Sequence, residues 1–205
     1  VDHFDPTELE TVELVTKHKM TVVTGGPGVG KTTVIRTIVN ILESFSNKIT
    51  LCAPTGRAAK RMCESTHRRS VTIHRLLGVD PMTRQFNHNE NNPLDTDFII
   101  IDECSMIDIH LAHQLLKSIP NHAGVLWVGD VDQLPSVGPG SFLKDIIESG
   151  TVPAVTLTEI FRQASNSSII INAHRVNSGK MPFNNEDKKS NDFFILYEDD
   201  PERII

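Results

Sequence analysis

Nine consecutive residues, Gly25-Gly26-Pro27-Gly28-Val29-Gly30-Lys31-Thr32-Thr33, contain the spacing GxxxxGK[ST]. Glycines let a backbone wrap closely around an anion with its N–H groups pointing inward, and a helix starting at the lysine adds the positive end of its dipole. Lys31 supplies a charge for the β and γ phosphates of ATP, and the Thr32 hydroxyl supplies a ligand for Mg²⁺. All nine are expected ATP contacts. A second group follows the apolar run Ile99-Ile100-Ile101, which delivers Asp102 and Glu103 at its end. Asp102 suits the metal-side carboxylate, and Glu103 is placed to orient or deprotonate an attacking water. Lys31, Asp102 and Glu103 therefore read as a hydrolytic set.

Such a set needs a scaffold that brings two distant loops together. Short β-rich runs occur at Met20–Thr24, Ile49–Ala53, Phe98–Asp102, Val125–Gly129 and Ala154–Leu157, and most are followed by a helical segment. Thr32–Ser46 repeats Val34, Ile35, Ile38, Val39 and Leu42 at helical spacing, and Thr55–Thr66 puts Ala58, Ala59 and Met62 on one side. Nearly continuous apolar strands alternating with helices predict an α/β fold, a mostly parallel sheet covered on both faces. Both loops then lie at the carboxyl edge, where open α/β sheets bind ligands.

The chain has 205 residues and a formal net charge of −6, a sum that hides an uneven distribution. Residues 2–13 hold five acids and no bases, and residues 185–203 hold seven acids and three bases. The middle is left mildly positive. Residues 57–84 carry seven Arg or Lys against Glu64 and Asp80 alone, a stripe able to meet a phosphate backbone or to serve as a solvated helix face. No apolar stretch approaches the roughly 18 residues of a membrane span. Cys52, Cys63 and Cys104 form no CxxC pair, which suits a reducing, cytoplasmic setting. Residues 78–97 are polar and rich in turn formers, and read as a functional or mobile loop.

Seven segments in order carry a resemblance: GGPGVGKTT (25–33), APTGRAAKRM (53–62), TIHRLLG (72–78), IIDECSMID (100–108), GDVDQLPSVGPG (129–140), LTEIFRQ (157–163) and INAHRVNSGKMP (171–182). Together they resemble the first motor domain of RecD-like superfamily 1 helicases, the exodeoxyribonuclease V alpha subunit and its stand-alone relatives. The resemblance implies a RecA-like P-loop NTPase fold and ATP-driven 5′ to 3′ translocation on single-stranded DNA with duplex unwinding. The helicase half of a conjugative relaxase, or a nucleotide-binding subunit without turnover, are the alternatives.

By the same resemblance Gln133 couples the γ-phosphate and the attacking water to movement, the other reading being an amide satisfied within its loop. Arg162 is expected to stabilise charge on the γ-phosphate, with a surface salt bridge as its alternative. Pro54, Thr55, Gly56 and Arg57, with Thr72 and His74, are expected to line the single-stranded DNA track, although a lone histidine is as readily a packing residue. Residues 78–97 correspond to a small hairpin insertion, with Asp80-Pro81 as its turn and Gln85-Phe86-Asn87 as its arm. A glutamine that reads adenine in the family has no counterpart in Thr7-Glu8-Leu9-Glu10. The expected organisation is a motor domain over 1–182, then over 183–205 a linker and the start of a second motor domain, truncated here. Turnover by the chain alone is then expected to be weak, with the second domain in cis and other subunits of an exonuclease complex as partners.

Overall fold

The computed structural model describes residues 6–45, 47–80, 82–83, 85–159, 167–183 and 192–195, with the backbone alone for 6–8. Two compact units are formed, residues 1–26 with 30–158, and residues 27–29 with 159–205. The first opens with α1 (Pro6–Lys17), β1 (Met20–Gly25), α2 (Lys31–Ser44), β2 (Ile49–Ala53) and α3 (Gly56–Thr66). There follow β3 (Ser70–Thr72), α4 (Ile73–Leu77), β4 (Phe98–Ile101), α5 (Ile109–Ser118), β5 (Gly124–Gly129), α6 (Phe142–Glu148) and β6 (Ala154–Leu157).

The strands form one six-stranded sheet in the order β3-β2-β4-β5-β1-β6, and every neighbouring pair is parallel. Parallel neighbours require crossovers, which the intervening helices supply. Alternate residues, Val22, Cys52, Ile99, Ile101, Val125 and Trp127, share a core with Leu77 of α4, Ala112 and Leu115 of α5, and Phe142 of α6. The residues between them, Val23, Leu51, Ile100, Leu126 and Val128, are equally buried and face the other way. On that side Ala53 packs with Ala58 and Ala59 of α3, and Val15 of α1 lies near Ile38 and Leu42 of α2. The RecA-like arrangement expected from the sequence is thus present, with helices on both faces.

β2 and β6 match their expected ranges, and the other three expected strands differ by a residue at an end. α2 starts one residue early, and α3 one late because the Thr55 side chain caps it by accepting from the Ala58 N–H at 3.2 Å. Strand β3 and helix α4 add to the expected set. Within 78–97, described residues 78–80 and 85–87 pair antiparallel: Val79 bridges Phe86, Asp80 N–H donates to Gln85 O at 2.9 Å, and Asn87 N–H to Gly78 O at 3.0 Å. The Asp80 carboxylate accepts from the Met82 and Thr83 N–H groups, which hold its pKa below the usual value. Pro81 lies outside the described residues.

In the second unit, α7 (Ser168–Asn177) is capped by Ser167, and the Asn172 side chain exchanges two hydrogen bonds with the Phe183 backbone at 2.9 and 3.0 Å. Residues 192–195 have no regular structure, and residues 196–205 lie outside the described set.

Gly129 closes β5 where space is tight. A Cβ there would lie 2.7 Å from Leu143 Cδ2 and 3.1 and 3.2 Å from the backbone nitrogens of Cys104 and Ser105, two atoms that cannot rotate away. Gly129→Ala is expected to cost about 1–3 kcal/mol of stability, measured as a lower urea midpoint at unchanged slope.

Candidate active site

The site is built where parallel strands end together. Thr24 of β1 pairs with Gly129 of β5, and Ile101 of β4 with Trp127 of β5, so the loops beginning at Gly26, Asp102 and Asp130 leave one edge of the sheet. A hydrogen bond from the Val131 N–H to the Thr24 hydroxyl, 3.1 Å, ties two of these exits.

Gly28 (φ 78°) and Gly30 (φ 90°) are left-handed, a conformation that costs a side-chain-bearing residue about 1–2 kcal/mol. Gly30 is also the N-cap of α2 and brings no side chain to the first-turn N–H groups, which leaves them to an anion. Lys31 turns back over the loop and donates to Gly25 O at 2.5 Å and Gly26 O at 2.8 Å. Burial lowers its pKa, and the charges of Asp130, Asp102 and Glu103 oppose that shift. Thr32 and Thr33 occupy the first turn of α2. Pro27, Gly28 and Val29 group with the second unit, in which His174 Nε2 lies 3.1 Å from Pro27 O.

Asp102 sits one residue past β4, and burial pushes its carboxyl above the usual range. The Glu103 N–H, donating at 2.8 Å, pulls the other way, as more weakly do Lys31 and Arg61. Glu103 itself has a left-handed backbone (φ 56°). Its Oε1 accepts from Arg61 Nη2 at 2.7 Å. Gln133 is held by Asp130: its N–H donates to the Asp130 carbonyl at 3.2 Å and its Nε2 to Oδ2 at 3.3 Å. Asp130 is 2% exposed. Neither Asp130 nor Arg61 stands among the residues expected from the sequence. Asp130 carries the signal that marks Asp102, an acid ending a buried apolar run. Arg61 carries none beyond its place in the basic stripe.

These groups suit a Mg²⁺–nucleotide. A half-buried lysine bonded to its own loop carbonyls can turn to a phosphate. Asp102, protonated more readily than usual because it is buried, and the Thr32 hydroxyl are hard oxygen donors of the kind Mg²⁺ takes.

The expected polynucleotide contacts meet at one ledge. Ala53 pairs with Thr72, so Pro54–Arg57 and Thr72–His74 begin side by side at the ends of β2 and β3. Thr55 caps α3 and Thr72 caps α4, each hydroxyl accepting at 3.2 Å, from Ala58 and Arg75 respectively. Arg57 is exposed and Gly56 faces open space. His74 is exposed, with its ring 5.9 Å from that of Phe86. The basic stripe is partly neutralised, since Arg68 pairs with Glu43, Lys60 with Glu64 and Arg61 with Glu103. Arg162 lies outside the described residues.

Because the folded Asp102 holds its proton more tightly than the unfolded chain, its contribution to stability is full below the unfolded pKa of about 3.9 and is lost as pH rises through the raised folded value. Asp102→Asn keeps an oxygen for the Glu103 N–H without a buried charge. It is expected to raise the thermal midpoint at pH 7, with the gain vanishing below about pH 4; an equal or lower midpoint at pH 7 would contradict the assignment.

Residues 8–139 match the family model described as an AAA domain, AAA_19. The ATP-dependent RecD2 DNA helicase of Deinococcus radiodurans is 42% identical over 165 residues, 80% of this chain and 22% of that protein. The RecBCD enzyme subunit RecD of Mycobacterium tuberculosis is 34% identical over 163 residues, 68% of this chain and 28% of that protein. The chain thus spans about a quarter of the length of these relatives. Among solved structures, the Pif1 helicase of Candida albicans superposes with TM-score 0.68 at 23% identity, over 89% of this chain and 46% of that one. Pif1 from Bacteroides sp. in complex with ADP-AlF4 gives TM-score 0.55 at 24% identity, over 79% and 44%. No described helix is long and apolar enough to cross a membrane. The chain belongs to the AAA domain family of the matching model, with RecD-type helicases as its sequence relatives.

Proposed function

We propose that this chain is the ATP-hydrolysing motor domain of a DNA helicase that moves along single-stranded DNA and separates duplex. The observation that carries the reading is the convergence of Lys31, Asp102 and Glu103 at one sheet edge, where β4, the strand before the two acids, lies directly beside β2 and the exposed ledge of Pro54–Arg57 and Thr72–His74. The names of its relatives, a DNA helicase and a subunit of an exonuclease complex, support it.

Mg²⁺ held by Thr32 and Asp102 would screen the phosphate charge. The α2 N-terminus and Lys31 bind and orient the phosphates, and Glu103 takes the proton of the attacking water. Gln133, leaving Asp130 for the γ-phosphate, would report its presence to the loop after β5. Arg162 would add positive charge to the same phosphate. The ledge grips the strand through the α3 N-terminus and the Arg57 side chain, contacts that position a backbone without reading bases. A second motor domain, following the one proposed over 1–182, would close over ATP, and its partners in an exonuclease complex would be further subunits. Polarity of 5′ to 3′ follows from the RecD-like resemblance. The free cysteines Cys52, Cys63 and Cys104 favour a cytoplasmic setting.

In the full protein, Lys31→Ala and Glu103→Gln are each expected to cut DNA-stimulated ATP turnover by at least about 100-fold. Retained turnover in both would remove the hydrolytic set. Arg57→Ala is expected to weaken single-stranded DNA binding and to lower the salt slope by about 0.7 without changing nucleotide affinity. An unchanged titration would move the track elsewhere.

A further inference from the structure

Glu103 is held by a group that the proposed chemistry does not use. Arg61 Nη2 lies 2.7 Å from Glu103 Oε1, and the two side chains differ in access, 63% exposed for Arg61 against 18% for Glu103. The carboxylate is thus enclosed while the guanidinium is open to solvent. Strand order gives the pair a direction. Arg61 comes from the helix after β2, Glu103 from the end of β4, and the phosphate loop follows β1, on the far side of β5. A pair with Arg61 therefore draws the Glu103 carboxylate toward β2 and away from the phosphates.

Arg61 also stands four residues after Arg57, which puts both on one face of α3, about 6 Å apart along its axis. A strand whose backbone rests on the α3 N-terminus and Arg57 carries its next phosphate toward Arg61. A phosphate and the Glu103 carboxylate then compete for one guanidinium.

We infer that Arg61 is a positioning residue that withholds Glu103 from water activation until a polynucleotide phosphate takes Arg61 in its place. Resting on the reading of Glu103 as the water-activating group, this makes the ion pair the point at which strand binding licenses hydrolysis. Competition is reciprocal: whatever frees Arg61 from Glu103 also improves its grip on the strand.

Two readouts test it in the full protein, with an oligothymidylate as the strand. Arg61→Ala is expected to raise ATP kcat without DNA by about three- to tenfold, with KM for ATP and DNA-saturated kcat unchanged, and Arg61→Lys is expected to restore part of the restraint. A merely structural loss would lower both kcat values. In a nucleotide-free titration, Glu103→Gln is expected to tighten oligothymidylate binding by a similar factor, and to have no further effect in an Arg61→Ala background. Unchanged or reduced DNA-free kcat in Arg61→Ala, or equal tightening by Glu103→Gln in both backgrounds, overturns the inference. If the wild-type protein hydrolyses no ATP, it is the proposed function that fails; the binding cycle still decides whether Arg61 is shared.

Discussion

Parallel strands all release the chain at the same edge of the sheet, so charges carried by the first residues after β1, β4 and β5 are forced together whether or not they attract. Three acids, Asp102, Glu103 and Asp130, are felt by the one lysine that follows the phosphate loop. Burial opposes ionisation on both sides, lowering the Lys31 pKa and raising that of Asp102, while their mutual attraction works against both shifts. Removing any one of them changes the charge balance of the rest. Each charged or polar group has a local partner: Lys31 has its loop carbonyls, Asp102 the next N–H, Glu103 has Arg61, and Gln133 has Asp130. A phosphate or metal ion entering such a site exchanges one satisfied arrangement for another, avoiding the cost of a buried polar group left without a partner.

The ledge at β2 and β3 follows a different logic. Both threonines expected to touch DNA spend their hydroxyls on helix caps, which are worth about 1 kcal/mol each. What this leaves for a strand is the geometry the caps create: helix N-termini side by side, the open space at Gly56, and the exposed Arg57. The Thr55 and Thr72 hydroxyls are thus engaged in starting α3 and α4, and a strand resting here would meet backbone N–H groups and Arg57 instead.

Legibility of the fold tracks element length and burial. β2 and the buried face of α2 can be read directly because an apolar run or a repeated helical spacing is long enough to stand out. β3 has three half-buried residues and α4 has five in all, too few to show either period, so their presence depends on pairing with β2 and on the Thr72 cap. The phosphate loop and the Asp102-Glu103 pair are legible because their chemistry is local in sequence. The Arg61–Glu103 pair, 42 residues apart, is not, since only the adjacency of β2 and β4 brings those residues together.

That adjacency also links the polar insertion to the site. Gly78, Val79 and Asp80 pair with Asn87, Phe86 and Gln85, and the segment is fastened to the end of α4 by the His88 N–H to Leu77 O at 3.0 Å. The His74–Phe86 ring contact braces the other side, which gives His74 a packing role alongside any contact with a strand. α4 begins just after Thr72, which pairs with Ala53, and β2 is in turn paired with β4, which ends one residue before Asp102. Ile73 and Leu77 are fully buried in the core that contains Ile99 and Ile101. Close-packed elements of this kind move as bodies, because sliding one past another would open voids. α4 and β4 therefore share one packed core beneath the carboxyl edge, whereas α3 reaches that edge through the partly exposed Arg61–Glu103 ion pair.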